Sequence, residues 1–283
     1  MLKLVSGLLS LIAIAYIAFC AALWLGQARL IFFPQPAPTA TPAMVGLNYE
    51  DVWIAVGDDR VHGWWIPAER GDAKTVLSLH GNASNVEGGL RQVLPLLNAG
   101  LSALVIDYRG YGFSRGPLPN EAQVYEDAVA AWQYLTTTRG IAAADIVVFG
   151  HSIGGAIAID LATHYPTAAG LIIQSTFTSM ADMMDQVGYS RIVPKWLLNQ
   201  RFASLDKIVR LTLPIFFIHG DADATVPAWM SQRLYDAKPG DKQIWLVPRA
   251  DHNDVRDIAG EEYGLQLAAW LRSLHNVESP LVN

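Results

Sequence analysis

The chain has 283 residues, 52% hydrophobic and only 16% charged, with a formal net charge of −6. That is ample material for one large buried core. It contains no Lys/Arg cluster of the kind that nucleic-acid phosphates require. The single cysteine, Cys20, excludes an internal disulfide. No Cys/His spacing resembles a metal site, and no cofactor is implied.

Between Lys3 and Arg29 no residue is charged, and Leu4 to Leu25 is almost wholly apolar. At ~1.5 Å per residue these roughly 22 residues cover about 33 Å, enough for the hydrocarbon core of a bilayer. A cleaved signal peptide would carry a shorter apolar region, about 7–15 residues, before a small-x-small site. The expectation is therefore a single-pass N-terminal anchor over residues 1–30. The charge difference across the span, Lys3 and the amino terminus against Arg29, is too slight to fix the side of the membrane. Residues 31–44, with Pro34, Pro36, Pro38 and Pro42, read as a stiff, extended tether holding the body off the membrane.

Residues 45–283 read as one domain. Val52 to Val56 and Val61 to Ile66 flank Gly57-Asp58-Asp59 as a hairpin. Thr75 to Leu79 is a buried strand, and so is Ala103 to Asp107; Val86, Leu90, Val93, Leu94 and Leu97 recur at helical spacing between them. Asn120 and Gln123 form a capping box ahead of Val124, Ala128, Ala131 and Trp132. Ile146 to Phe149, Leu171 to Ile173, Ile215 to Ile218 and Gln243 to Val247 complete the strands. The last helix carries Tyr263, Leu267, Trp270, Leu271 and Leu274 on one stripe. Apolar strands alternating with helices indicate an α/β fold, with a mostly parallel sheet covered on both faces. From 178 to 212 the rhythm breaks. There Met180, Met183, Met184, Trp196 and Phe202 read as a small helical insert over the strand ends, either an adaptable apolar acyl site or core packing.

Gly150-His151-Ser152-Ile153-Gly154 lies between the apolar run Ile146 to Phe149 and a helix. A strand that reverses sharply into a helix exposes the serine hydroxyl, and glycines two residues either side keep Cβ atoms out of a crowded corner. A serine hydroxyl needs a positioned base, and the base an acid to hold its tautomer. Candidates should follow later strands. His252 follows Gln243 to Val247, and Asp223 follows Ile215 to Ile218. Asp221 competes with Asp223, and His219 is the weaker candidate base. His151 should point away from the serine, and His80 should shape its own loop. Negative charge developing on a carbonyl oxygen calls for two backbone N–H donors. Ile153 is one; Asn82, with Ala83 as the alternative, is the other.

These motifs together resemble the α/β-hydrolase superfamily, in which the order Ser152, Asp223, His252 is the usual one. More narrowly, the chain is similar to the membrane-anchored Bem46-like group. The resemblance rests on His80-Gly81-Asn82-Ala83, Asp107-Tyr108-Arg109-Gly110-Tyr111-Gly112, Gly150 to Gly155, Phe177 to Met180 and His219 to Pro227. It implies an eight-stranded α/β-hydrolase fold with a helical cap over 178–212. It further implies a Ser/Asp/His hydrolase of esters or thioesters, often of lipids, and supports Asp223 as the acid. The rival expectations are a peptidase or amidase on the same triad and a non-catalytic binding protein.

Overall fold

The computed structural model describes residues 2–71 and 73–275; the end of the expected 45–283 domain, and Met1 of the expected anchor, lie outside the described residues. Helix α1 (Leu2–Ile31) precedes the hairpin β1 (Glu50–Val56) and β2 (Asp59–Ile66). Then come β3 (Thr75–Leu79), α2 (Val86–Asn98), β4 (Ser102–Ile106), α3 (Glu121–Gln133), β5 (Ile146–His151), α4 (Ile153–His164) and β6 (Gly170–Gln174). The short α5 (Met180–Gln186) and α6 (Ser204–Ile208) lead to β7 (Ile215–Gly220), α7 (Trp229–Ala237), β8 (Lys242–Val247), α8 (Val255–Ala259) and α9 (Glu261–His275). The eight strands form one sheet in the order β1-β2-β4-β3-β5-β6-β7-β8. β1 and β2 are antiparallel, β2 runs antiparallel to β4, and β3 to β8 are parallel.

β3 to β7 are buried along their whole length because both faces are covered, whereas β8, at the edge of the sheet, is buried only at Val247. One face packs under α3, α4 and α7 through residues such as Val148, Ile173, Phe217, Trp132, Ile157 and Leu234. The other packs under α2 and α9 through Phe149, Ile172, Phe216, Val93, Leu267 and Trp270. α3 starts on the expected capping box: Asn120 accepts from the Gln123 N–H, and the Gln123 side chain accepts from Asn120 N–H.

The insert over 178–212 contains α5, two single 3-10 turns and α6, and no strand. Met184 is buried, and Met180 and Met183 lie against the main core.

The proline-rich segment differs from its expected form. It runs along the body instead of standing off it. Phe32 is buried against Phe202 at 6.1 Å between ring centroids. Gln35 O accepts from Gly112 N–H at 3.0 Å and Pro36 O from Asn85 Nδ2 at 3.0 Å. The Glu87 carboxylate accepts from the N–H groups of Thr39 and Ala40 at 2.9 and 3.2 Å. Prolines keep this segment out of an α-helix, leaving a single 3-10 turn at Pro42–Val45, and its free carbonyls and remaining N–H groups find partners on the loops after β3 and β4 and on the first turn of α2. α1 itself is long and apolar enough to cross a membrane by length and composition, with most of its side chains exposed.

Candidate active site

In a parallel sheet every strand C-terminus lies on one edge, and the loops after β3, β5, β6, β7 and β8 converge there. β5 delivers Ser152 in a left-handed conformation, φ 55° and ψ −119°, that an L-residue holds only under surrounding constraint. The constraint is visible. Ser152 N–H donates to Gln174 O at 2.9 Å, while Ser152 O accepts from Gly155 N–H at 3.0 Å and from Thr176 Oγ1 at 2.7 Å. The flanking glycines are required by space. A Cβ at Gly150 would overlap the backbone of Gly154 and Gly155, and one at Gly154 would overlap the carbonyl oxygens of Leu79 and His80. The first turn of α4 therefore abuts the exit of β3, bringing Ile153 and the 80–83 loop side by side.

His252, in the loop after β8, lies with Nε2 3.1 Å from Ser152 Oγ and Nδ1 2.7 Å from Asp223 Oδ2. These contacts suit the tautomer in which Nδ1–H donates to the carboxylate and Nε2 accepts from the serine hydroxyl. Asp223 Oδ1 accepts from the N–H groups of Thr225 and Val226 at 2.9 and 2.7 Å. Burial raises the Asp223 carboxyl, but hydrogen bonds from His219 and His252 and from the Val226 N–H outweigh it and hold the group well below the usual carboxylate range. It is an anion at every pH at which the protein would work.

The competing residues have other places. His219 is fully buried behind Asp223; its Nε2 is 2.7 Å from Val226 O and 3.1 Å from Asp223 Oδ2, and its Nδ1 is 2.6 Å from Ser231 Oγ. Asp221 accepts from Arg249 N–H at 2.6 Å. Asp251 accepts from the N–H groups of Ala224 and His252 at 2.9 and 2.8 Å, joining the loop that carries Asp223 to the loop that carries His252. Asp254 accepts from Asp251 N–H at 2.6 Å. His151 points away from the serine, and its Nε2 reaches His252 O at 3.1 Å. Burial, aided by the neighbouring His252, pushes His151 down to about 3, so it is a neutral clamp.

Asn82 is the best-tied residue of its loop. Its Oδ1 accepts from Phe33 N–H and Tyr111 Oη, both at 2.9 Å, and its Nδ2 donates to Ile31 O. The side chain is committed to the exit of α1 and to Tyr111, which leaves the backbone N–H for any role toward the serine. His80 packs on Tyr108 and Tyr111 and donates from Nδ1 to Gly81 O at 2.7 Å; burial pushes it down. Behind it Asp107, fully buried, accepts the Val86 N–H at 2.7 Å at the start of α2. Beside this loop a cavity of about 270 Å³ is lined by polar groups that include Asn82, His151, Asn253, Arg91 and Arg256. Sequence reading missed the supporting roles of Thr176, Asp251 and Asp107. The signal for each was its position in the loop that follows a parallel strand: β6 for Thr176, β8 for Asp251 and β4 for Asp107. Among the described residues no group of three or more His, Cys, Asp or Glu side chains is placed to hold a metal ion.

Comparison with known proteins agrees with this architecture. A family model described as serine aminopeptidase, S33, matches residues 72–207. The protein bem46 of Schizosaccharomyces pombe is 32% identical over 283 residues, covering 94% of this chain and 92% of that protein. The α/β-hydrolase domain-containing protein WAV2 of Arabidopsis thaliana is 32% identical, covering 84% of each chain.

The chain belongs to the Bem46-like α/β-hydrolases.

An esterase of Pyrococcus furiosus shares the fold of this hydrolase, with a TM-score of 0.72 at 23% identity over 86% of this chain and 98% of that one. The fold class expected from the strand and helix pattern, an eight-stranded, mostly parallel sheet flanked by helices, is therefore the fold of the protein.

Proposed function

We propose that this hydrolase is a membrane-anchored serine carboxylic-ester hydrolase, acting on esters or thioesters with an apolar acyl group. The observation that carries the reading is the unbroken hydrogen-bonded series from Ser152 Oγ through the His252 imidazole to Asp223 Oδ2, at 3.1 and 2.7 Å. His252 Nε2 takes the hydroxyl proton as Ser152 Oγ forms a bond to the acyl carbon, and the carbonyl oxygen becomes an oxyanion. The backbone N–H groups of Ile153 and Asn82 hold that charge. Asp223 stabilises the imidazolium without taking its proton. Collapse of the intermediate breaks the acyl–oxygen or acyl–sulfur bond, and His252 returns the proton to the leaving alcohol or thiol. Water then repeats the sequence on the acyl-serine, giving the carboxylic acid and free Ser152.

α1 supports the anchoring half of the reading by its length and apolar surface. A fluorophosphonate probe should label the purified full chain and not its Ser152→Ala variant. p-Nitrophenyl esters of increasing chain length should show turnover lost in the same variant. Turnover that survives Ser152→Ala sinks the mechanism. The matching family model, described as a serine aminopeptidase, favours a second reading, amide cleavage on the same three residues. Ester and amide substrates with the same acyl group separate the two.

A further inference from the structure

The outer half of α1 does not leave the body of the protein; it lies along the cap. Tyr16 Oη donates to Ile192 O at 3.0 Å. Gln27 donates from Nε2 to Leu197 O at 2.7 Å and accepts from Asn199 N–H at 2.9 Å. Asn199 Nδ2 donates to Trp24 O at 2.8 Å. From residue 16 to residue 27 this seam runs about 16 Å along the helix, at ~1.5 Å per residue. Beside the seam the cap turns large apolar side chains outward: Val187, Tyr189, Ile192 and Trp196 are 57%, 63%, 60% and 81% exposed. On α1, Phe19 and Trp24, within the stretch that the seam covers, are 46% and 47% exposed. Helix and cap, joined along the seam, thus both turn large apolar side chains outward. A patch of that kind on a water-soluble face is unfavourable and marks an interaction site.

We propose that the cap segment from Val187 to Trp196 inserts into the same membrane leaflet as the outer end of α1, so that the ester reaches Ser152 from the bilayer and not from water. The proposal rests on the readings of α1 as an anchor and Ser152 as the nucleophile. The occupant of the patch follows from continuity: whatever surrounds α1 at Tyr16 also surrounds the residue bonded to Tyr16.

The lengths are consistent with shallow insertion. The hydrocarbon core is about 30 Å thick, which the roughly 20 residues from Leu4, the first after the charged Lys3, to Leu23 span at ~1.5 Å each. Tyr16 and Ile192 then lie about 10 Å below the hydrocarbon boundary, at the deep end of the ~5–10 Å range over which amphipathic elements bury their apolar faces. The remainder of α1, with Trp24, Gln27 and Arg29, runs through the headgroup layer. An aromatic and polar residues are at home there. Lys195 is paired with Asp185 within the cap, while Arg191, exposed on the same segment, is long enough to carry its charge toward the lipid phosphates.

The same contacts connect this surface to the site. Asn82 binds both Ile31 and Phe33, so the loop beside Ser152 is fastened to the exit of α1. The cap begins directly after β6, where Thr176 holds the Ser152 carbonyl. The substrate class is accordingly a long-chain acyl ester or thioester resident in a leaflet.

The test uses the full chain in phosphatidylcholine vesicles, on a Cys20→Ser background. Single cysteines replace Leu9 in α1, Ile192 in the cap, and Ala144 at the opposite edge of the sheet, and each carries an environment-sensitive fluorophore. Quenching by nitroxide-labelled phosphatidylcholine is expected at 9 and 192 and not at 144. The double variant Tyr189→Asp/Ile192→Asp is expected to lose about ten-fold or more in turnover of a long-chain ester embedded in vesicles, because burial of both apolar side chains is removed. Its turnover of p-nitrophenyl butyrate in detergent should stay within about two-fold of the parent, since neither residue touches the site. Quenching at 9 alone, or equal loss on both substrates, overturns the cap insertion. No quenching at 9 or 192 overturns the anchor reading and the proposal with it. Butyrate turnover that persists in Ser152→Ala overturns the functional reading instead.

Discussion

Asp223→Asn changes one atom of the carboxylate, and the surrounding hydrogen bonds dictate where that atom goes. Oδ1 accepts two backbone N–H groups, from Thr225 and Val226. An amide nitrogen placed there would face two donors, so the asparagine oxygen takes that position. The NH₂ group is then forced into the Oδ2 position, 2.7 Å from His252 Nδ1 and 3.1 Å from His219 Nε2. Both imidazole nitrogens would have to accept. His252 moves its proton to Nε2 and presents a donor to Ser152, which loses its base. His219 loses its donor to Val226 O. The expected loss in kcat is about 10³–10⁴-fold, or roughly 4–5.5 kcal/mol of barrier at 1.36 kcal/mol per decade. The assay is kcat on p-nitrophenyl butyrate with the rate of fluorophosphonate labelling, each alongside a thermal melt to show that the variant is folded. A folded Asp223→Asn variant within ten-fold of the parent would refute the tautomer argument and leave His252 without a need for its carboxylate.

Gly154→Ala would drive a Cβ into the Leu79 carbonyl, backbone against backbone, and should cost roughly 3 kcal/mol or more, whereas Gly264→Ala, in open space on α9, should stabilise by about 0.5–1 kcal/mol; paired melts measure both. His151 makes stability pH-dependent. Its folded-state pKa, pushed down by burial to about 3, lies below the ordinary 6.5, so as pH falls below 6.5 the unfolded chain binds a proton that the folded chain refuses. Between pH 6.5 and pH 5 this removes about 2 kcal/mol, at about 1.4 kcal/mol per unit. Denaturant midpoints of wild type and His151→Asn across that range should converge toward low pH; parallel curves would show that His151 is protonated in the folded state. Phe202→Ala removes a fully buried ring that joins Phe32, Tyr125 and Phe177, and should cost about 3–5 kcal/mol in the same measurement.

Local chemistry made much of this protein legible in its sequence. The strands are short apolar runs, the capping box at Asn120 and Gln123 needs only four consecutive residues, and the Gly-x-Ser-x-Gly turn names its own strand and helix. The positions of Ser152, Asp223 and His252 after β5, β7 and β8 could be read because parallel strands must end on one edge. The tertiary structure alone decided the rest. Asp221, Asp223, Asp251 and Asp254 are chemically the same; the register of β7 against β8 turns Asp223 toward His252 and gives the other three to backbone N–H groups. His151 is an imidazole as buried as His252, yet its place under Gly81, with Nε2 on the His252 carbonyl, makes it a clamp. The proline-rich segment reads as a free spacer because no local pattern predicts which distant loops will supply its partners. The same holds for α1. Its apolar length is written in the sequence, but its seam with the cap depends on side chains about 170 residues apart, which only the packed chain brings together.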